Sequence, residues 1–416
     1  MLDGFFQQIR LFLVGHGILV DQLDFIETLF GRLFYNIKAS MTIVRHRKMK
    51  GLLLFFGLAG LLAGRACGDD YRPPRNPHYK KKAKLSPLAT TPVHVTPIDR
   101  LAPGRWDPAV KLALEVFAAD HGKTGSDYDP QHPPVAVLPW DDAAIKGDIG
   151  EAVFQRQVER AEFKFDDEWW NIVPLAYGRQ RTRAAAEQFI ELSTSVWNAQ
   201  PTYHQYWKYM LQSYQDSCRK VDRKDCRVYL ARLLKGFTHD EIIKYGKDVI
   251  ADEEARALVT QKVLAAPDDA APARIRRGLR EIPEMKDLCR LLLAAGFDVW
   301  VVELEAAPLL LASTPAYGID PSRVVGIKIS QFRDKLIGKV EEPIPTRGGK
   351  VDAIVAALGR PPALVVGASS DDQELMVYGS GIRLLLDRGD GALKDFAKKS
   401  GWLIQPAFSG RRPLSR

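Results

Sequence analysis

The sequence predicts an α/β fold in which a parallel sheet carries helices on both faces and an α-helical cap is inserted after the first strand. Three observations predict it. Beyond Pro283, short apolar runs alternate with amphipathic stretches, the pattern of strands joined through helices into a parallel sheet. One earlier run, PPVAVLPWDD, is a proline-bounded apolar segment of strand length. Between them lie residues 149–282, mostly of helical periodicity, which an insertion accommodates. A chain of 416 residues, 46% hydrophobic and 26% charged, suffices for one such domain plus an N-terminal extension.

In chain order, residues 1–40 are expected to be an over-extended N-terminus, with Met41 or Met49 the natural start. The apolar segment GLLLFFGLAGLLAG, from Gly51 to Gly64, follows the basic RHRKMK. It is shorter than the roughly 20 apolar residues that cross a bilayer. It reads instead as the apolar region of a signal peptide spanning residues 41–67. Gly64 and Ala66 suit cleavage, while Cys67 is alternatively a lipid-bearing cysteine, although Gly64 and Arg65 make a poor lipobox. The expected location is a bacterial-type cell envelope, either periplasmic or lipid-anchored. Residues 68–104 form a Pro- and Lys-rich linker. Its Arg72, Arg75, Lys80, Lys81, Lys82 and Lys84 hold much of the +8 net charge, as a solvated tether or a contact with a membrane surface. No basic stripe interleaved with aromatics suggests nucleic acid as a partner.

The core is expected over 105–148 and 283–410. DPAVKLALEVFAADHG has helical spacing, and VAVL is the first strand. In the cap, AAAEQFIELSTSVW, QYWKYMLQSY, RVYLARLLKGF and HDEIIKYGKDVIADEEARALV are amphipathic helices. EMKDLCRLLLAAG is a helix ended by Gly296, FDVWVVEL a strand, RVVGIKIS another, KVDAIVAALG a helix, PALVVGAS a strand, DDQELMVYGSG a helix and IRLLLDRG a final strand. Cys218 and Cys226, in the polar stretch SCRKVDRKDCR, are predicted to form a disulfide in an oxidising compartment. Zinc lacks further ligands at suitable spacing, and Cys289 lies on an apolar helical face. The aromatics Trp169, Trp170, Tyr203, Tyr206, Trp207 and Tyr209 either pack as core or line a cleft for a choline-like or amino-alcohol group.

Ligands of such sheets bind at the carboxyl ends of the strands, so the residues after VAVL, VWVV and LVVG matter most. GDIGEAVFQRQV, GLREIPEMKDLCRLLLAAGFDVWVV, YGIDPSRVVGIKIS, GGKVDAI and GASSDDQELMVYGSGIRLLLDRG follow one another in the order and spacing of a known family. Over roughly residues 103–410 the chain resembles phosphoserine-phosphatase-like members of the haloacid dehalogenase superfamily. The resemblance implies a Rossmann-like sheet, a helical cap and Mg²⁺-dependent phosphomonoester hydrolysis. In that chemistry an aspartate attacks phosphorus while the metal neutralises charge.

At the positions the resemblance assigns, this sequence departs. Pro139 stands where the nucleophile is expected, Asp141 keeps the acid/base position, and Ala143 replaces a threonine. Glu303 stands where a hydroxyl would bind phosphate, with Glu305 two residues on. Lys350 keeps the charge-balancing lysine. Ala368 replaces a metal-binding aspartate, and Asp372 keeps the last acid of that motif. With the phosphate gone, Glu303 and Lys350 are expected to pair. The expected function is an exported phosphatase homologue without hydrolysis, with no cofactor, or Mg²⁺ should activity remain. Its partner would be a small phosphorylated ligand or a protein. The alternatives are a working phosphomonoesterase of phosphoserine- or phosphocholine-phosphatase type with a rearranged site, and a ligand-binding module built on the cap. Asp371 and Asp372 are read as helix caps or, in a rearranged site, as metal ligands.

Overall fold

The computed structural model describes residues 100–408. The expectations for the N-terminal extension, the signal segment, Cys67 and the linker through residue 99 lie outside the described residues. The described chain opens with α1 (Pro108–His121), where Pro108 sits in the first turn and the Asp107 side chain accepts from the Ala109 and Val110 amides. Next comes β1 (Val135–Leu138), buried along its whole length.

β2 (Ile145–Lys146) and α2 (Ile149–Arg160) lead into the insertion, and Asp148 caps α2 by accepting from the Glu151 amide. The insertion continues through α3 (Asp167–Trp170), α4 (Arg179–Glu187), α5 (Pro201–Lys220), α6 (Arg223–Arg232) and α7 (His239–Ala255), then the hairpin β3 (Val259–Val263) and β4 (Ala273–Arg277). β5 (Arg280–Glu281) pairs with β2 and closes the insertion at its neck. After it come α8 (Pro283–Ala294), β6 (Asp298–Ala306), α9 (Ala307–Leu311), β7 (Val324–Ile327) and the hairpin β8 (Ile329–Phe332) and β9 (Lys335–Val340). The chain ends with α10 (Gly348–Leu358), β10 (Leu364–Gly367), α11 (Gln373–Tyr378), β11 (Ile382–Asp387), α12 (Gly391–Lys399) and β12 (Leu403–Pro406).

Six strands form one parallel sheet in the order β12-β11-β10-β1-β6-β7. Alternate residues of its strands feed two separate apolar clusters, as the period of two demands. Ala136, Leu138, Val301, Val366 and Leu384 belong to one, and Val135, Val137, Val302, Val365 and Leu385 to the other. The insertion has a third cluster of its own, built around Trp169, Phe189, Tyr206 and Met210.

Four expectations need correction. IRLLLDRG is not the last strand, because β12 pairs parallel with β11 beyond it. RVVGIKIS is two strands: β7 stays in the sheet, while β8 turns away into a hairpin with β9. The helix expected through Val259 stops at Ala255, where Arg256 turns extended, and Val259 begins β3. AAAEQFIELSTSVW is helical only to Glu187 and continues as turns and a short 3-10 segment. In each case the run holds two pieces whose directions differ, and local periodicity carries no information about direction. No described helix is long and apolar enough to cross a membrane.

Candidate functional site

In the sheet order β10-β1-β6, the ends of three adjacent strands converge. They bring Pro139 to Asp142, Glu303 to Glu305, and Ala368 to Asp372 to one place. β6 outruns β1, whose last residue Leu138 pairs with Val301, and its register against β7 shifts between Val302 and Ala306. Glu303 and Glu305 lie on this irregular extension. Strand alternation turns both to one side, with Leu304 buried in the core between them.

Two charge clusters result. In the first, the Lys350 ammonium lies 2.6 Å from an Asp372 Oδ1 and 3.7 Å from Glu303 Oε1. The second Asp372 oxygen accepts from the amides of Ala368 at 2.9 Å and Ser369 at 3.0 Å, and from the Ser369 hydroxyl. Glu303 accepts from the Trp140 amide at 2.9 Å and its neighbour Leu304 at 2.8 Å. Burial opposes both charges of the Lys350–Asp372 pair, yet mutual attraction overrides it. Asp372 is held below the usual carboxylate range, and Lys350 is raised by Asp372 first and Glu303 next. The Trp140 indole donates to Ser313 Oγ at 2.8 Å and packs edge-on against Tyr317, fixing the loop after β1.

The second cluster is acidic. Oxygens of Asp141, Asp148 and Glu305 all lie within 4.8 Å of one another. Arg227 of α6 reaches into it, donating to both oxygens of Asp148 and lying 3.5 Å from Glu305 Oε2. Burial, then the charges of Asp148, Glu305 and Glu303, push Asp141 well above its usual range against the pull of Arg227. Glu305 is pushed up to about 8, mainly by burial, with Arg227 opposing and Asp148 adding. Asp148 is held low because Arg227 outweighs its burial.

The residues the sequence singled out therefore meet, with distinct fates. Pro139 is buried and offers no oxygen side chain, and Ala143 and Ala368 are buried without one. Asp141 Oδ1 accepts from the Ile149 amide at 3.2 Å. Asp371 does not join Lys350: it is 3.3 Å from the Thr346 hydroxyl and pairs with Arg223 at 3.5 Å and Arg347 at 3.7 Å. Ser369 and Asp372 form a capping box, and Asp372 serves Lys350 as well. Cys218 and Cys226 are disulfide-bonded, their Cα atoms 4.9 Å apart, and Cys289 is a buried free thiol. Trp169, Trp170, Tyr203 and Tyr206 are buried in the cap core, while Trp207 and Tyr209 are half-buried. Sequence reasoning missed both Asp148 and Arg227, the latter one cation among many on an amphipathic helix.

The metal implied by the resemblance does not fit its own positions. Mg²⁺ requires near-octahedral oxygen donors. Pro139 and Ala368 offer none, and Asp372 is spent on Lys350. The spacing of Asp141, Asp148 and Glu305 is one a divalent cation could use, and there the guanidinium of Arg227 already stands.

No family model and no curated protein matches the chain. Among solved structures, a conserved protein of unknown function from Anaerococcus prevotii DSM 20548 is similar at 21% identity, over 73% of this chain and 93% of that one, with a TM-score of 0.64. A HAD family hydrolase from Salmonella enterica serovar Typhi is similar at 11% identity, over 66% and 67%, with a TM-score of 0.35. A substrate-bound phosphoserine phosphatase is similar at 12% identity, over 66% and 93%, with a TM-score of 0.35. The Anaerococcus protein shares the fold of a six-stranded parallel sheet with a helical insertion.

Proposed function

We propose that this chain is a haloacid dehalogenase-like phosphatase homologue that no longer hydrolyses phosphomonoesters and serves as an exported binding or structural protein. The observation that carries the reading is the position of Glu303. Its carboxylate takes the Trp140 amide and faces the Lys350 ammonium, two donors suited to an anionic ligand. A fixed internal carboxylate there competes with any incoming phosphate and repels it. Pro139, at the nucleophile position, has no atom able to accept a phosphoryl group, so the first displacement has no attacking group. Export is supported by the basic-then-apolar segment ending near Cys67. A disulfide between Cys218 and Cys226 agrees with an oxidising destination.

The test is purified chain assayed with p-nitrophenyl phosphate and Mg²⁺. The expected result is phosphate release no faster than the buffer blank. Saturable, Mg²⁺-dependent release that Asp141→Asn removes would overturn the reading. For export, the N-terminus of the chain isolated from envelope fractions should begin near Cys67; a cytosolic chain starting at Met1 would refute that part.

A further inference from the structure

Three carboxylates within 4.8 Å of one another in a buried setting need positive charge or protons to coexist. The fold supplies donors to each. Asp141 takes the Ile149 amide and Asp148 takes the Glu151 amide, so the first turn of α2 faces the cluster with its N–H groups. Glu305 takes the Ala306 amide at 2.7 Å. Its carboxylate lies so close to Gly150 that a Cβ there would fall 1.8 Å from Oε2. The remaining claim is made by Arg227, whose side chain is 6% exposed and bridges Asp148 and Glu305. The backbone that carries Arg227 is anchored, because its neighbour Cys226 is buried and tied to α5 through Cys218.

We propose that Arg227 is the permanent counter-ion of this cluster, a guanidinium delivered by the cap that excludes a divalent cation from carboxylates otherwise spaced to hold one. Mg²⁺ binds carboxylate oxygens at about 2.1 Å. An ion bound to Asp148 and Glu305 would use oxygens that already face Arg227, and two cations would then share one small, dry pocket. The guanidinium also satisfies the geometry differently. Its planar fork matches the two oxygens of Asp148, which a spherical ion does not require. The inference concerns cation occupancy alone and holds whether or not the chain turns over a phosphoester.

Mn²⁺ serves as the probe, followed by electron paramagnetic resonance and by thermal unfolding. The unaltered chain should show no stoichiometric Mn²⁺ uptake at millimolar concentration. Arg227→Ala should gain one Mn²⁺ site, tightened by at least roughly tenfold over the unaltered chain, and adding Glu305→Gln should abolish it. Low millimolar guanidinium ion should compete with Mn²⁺ for the emptied position, and either ion should raise the unfolding temperature of Arg227→Ala. Stoichiometric Mn²⁺ uptake by the unaltered chain that Glu305→Gln removes would overturn the inference. So would a folded Arg227→Ala chain that takes up no Mn²⁺. If Arg227→Ala folds only with additive, recovery by Mn²⁺ or guanidinium is itself the expected result, and failure of both ions to restore the fold counts against it.

Discussion

Lys350 is 1% exposed and holds its charge only because Asp372 and Glu303 face it. Removing one member of such a buried set strands the others. Lys350→Met should therefore cost about 3–5 kcal/mol in urea unfolding. Glu303→Gln, which keeps an acceptor for the Trp140 amide, should cost about 1–2 kcal/mol. Glu305 sets a pH dependence of opposite sense to the ion-paired aspartates. It faces Asp148 and Asp141 beside α2 and β1, Glu303 on its own strand, and Arg227 from α6. Its folded value of about 8 lies above the unfolded value of roughly 4.3, so folding takes up a proton between them. Stability from this group is full at the acid side of that window, falls as pH rises through it, and levels off above 8. Asp148 and Asp372 are depressed and act the other way, losing stability as pH falls below the ordinary aspartate range. Unfolding free energies at pH 5 and pH 8 should show Glu305→Gln with a shallower decline than the unaltered chain; an equal decline would assign the slope to Asp141 alone. At this scale the sequence was legible wherever chemistry fixes position. The proline at the end of β1 and the lysine opening α10 were readable because strand ends and helix starts locate them. Arg227 was not, since its partner lies 79 residues away and only the docking of the cap brings them together.

At the scale of elements, most helices were legible in place, though two end earlier than their periodicity predicts, and the paired ribbons were not. α1, α5 and α8 announce themselves through apolar spacing and proline in the first turn. The β3–β4 hairpin buries only one face, and its outward positions Arg274 and Arg276 are charged, so its buried apolar signal reduces to Val263, Ala273 and Ile275. β12 is four residues long and follows α12 closely, too short to stand out from a loop. The junction of α5 and α6 offers a test of how the cap is held. The disulfide closes a short loop, separation 8, and joins the two helices directly beside Arg227. Replacing both Cys218 and Cys226 by serine should lower stability by about 2 kcal/mol in the non-reducing state. The same double variant should erase the difference between reduced and oxidised samples. At the other end of the network, Gly150 admits the Glu305 carboxylate against α2. Gly150→Ala should cost about 2 kcal/mol or more, because the added methyl displaces a buried carboxylate from its donors. A neutral result there would mean that Glu305 has room to turn aside.

At the scale of the molecule, scaffold and chemistry separate cleanly. The parallel sheet needs only that β1, β6 and β10 be apolar and adjacent, and it aligns their ends whatever side chains follow. The three departures sit at those ends, outside the β1 pairings: Pro139 and Ala368 follow strands, and Glu303 lies where β6 has outrun β1. A chain that keeps the frame should therefore accept the missing groups. On the proposed reading, Pro139→Asp, Glu303→Ser and Ala368→Asp together would supply a nucleophile, a phosphate-binding hydroxyl and a metal-binding carboxylate. They also remove the internal anion that faces the Trp140 amide. The combined variant should fold with an unfolding temperature below that of the unaltered chain, because it adds two carboxylates at buried positions and takes one partner from Lys350. It should hydrolyse p-nitrophenyl phosphate with Mg²⁺ at a kcat/KM at least roughly tenfold above the unaltered chain's background, about 1.4 kcal/mol of transition-state stabilisation. Asp141→Asn in that background should remove the gain if Asp141 still occupies the acid/base position. A well-folded triple variant that binds Mg²⁺ and yet releases no phosphate would mean that the cap, held down by Arg227, denies substrate to the strand ends. Adding Arg227→Ala to the triple variant then decides between a closed cap and a frame that has drifted from the geometry of catalysis.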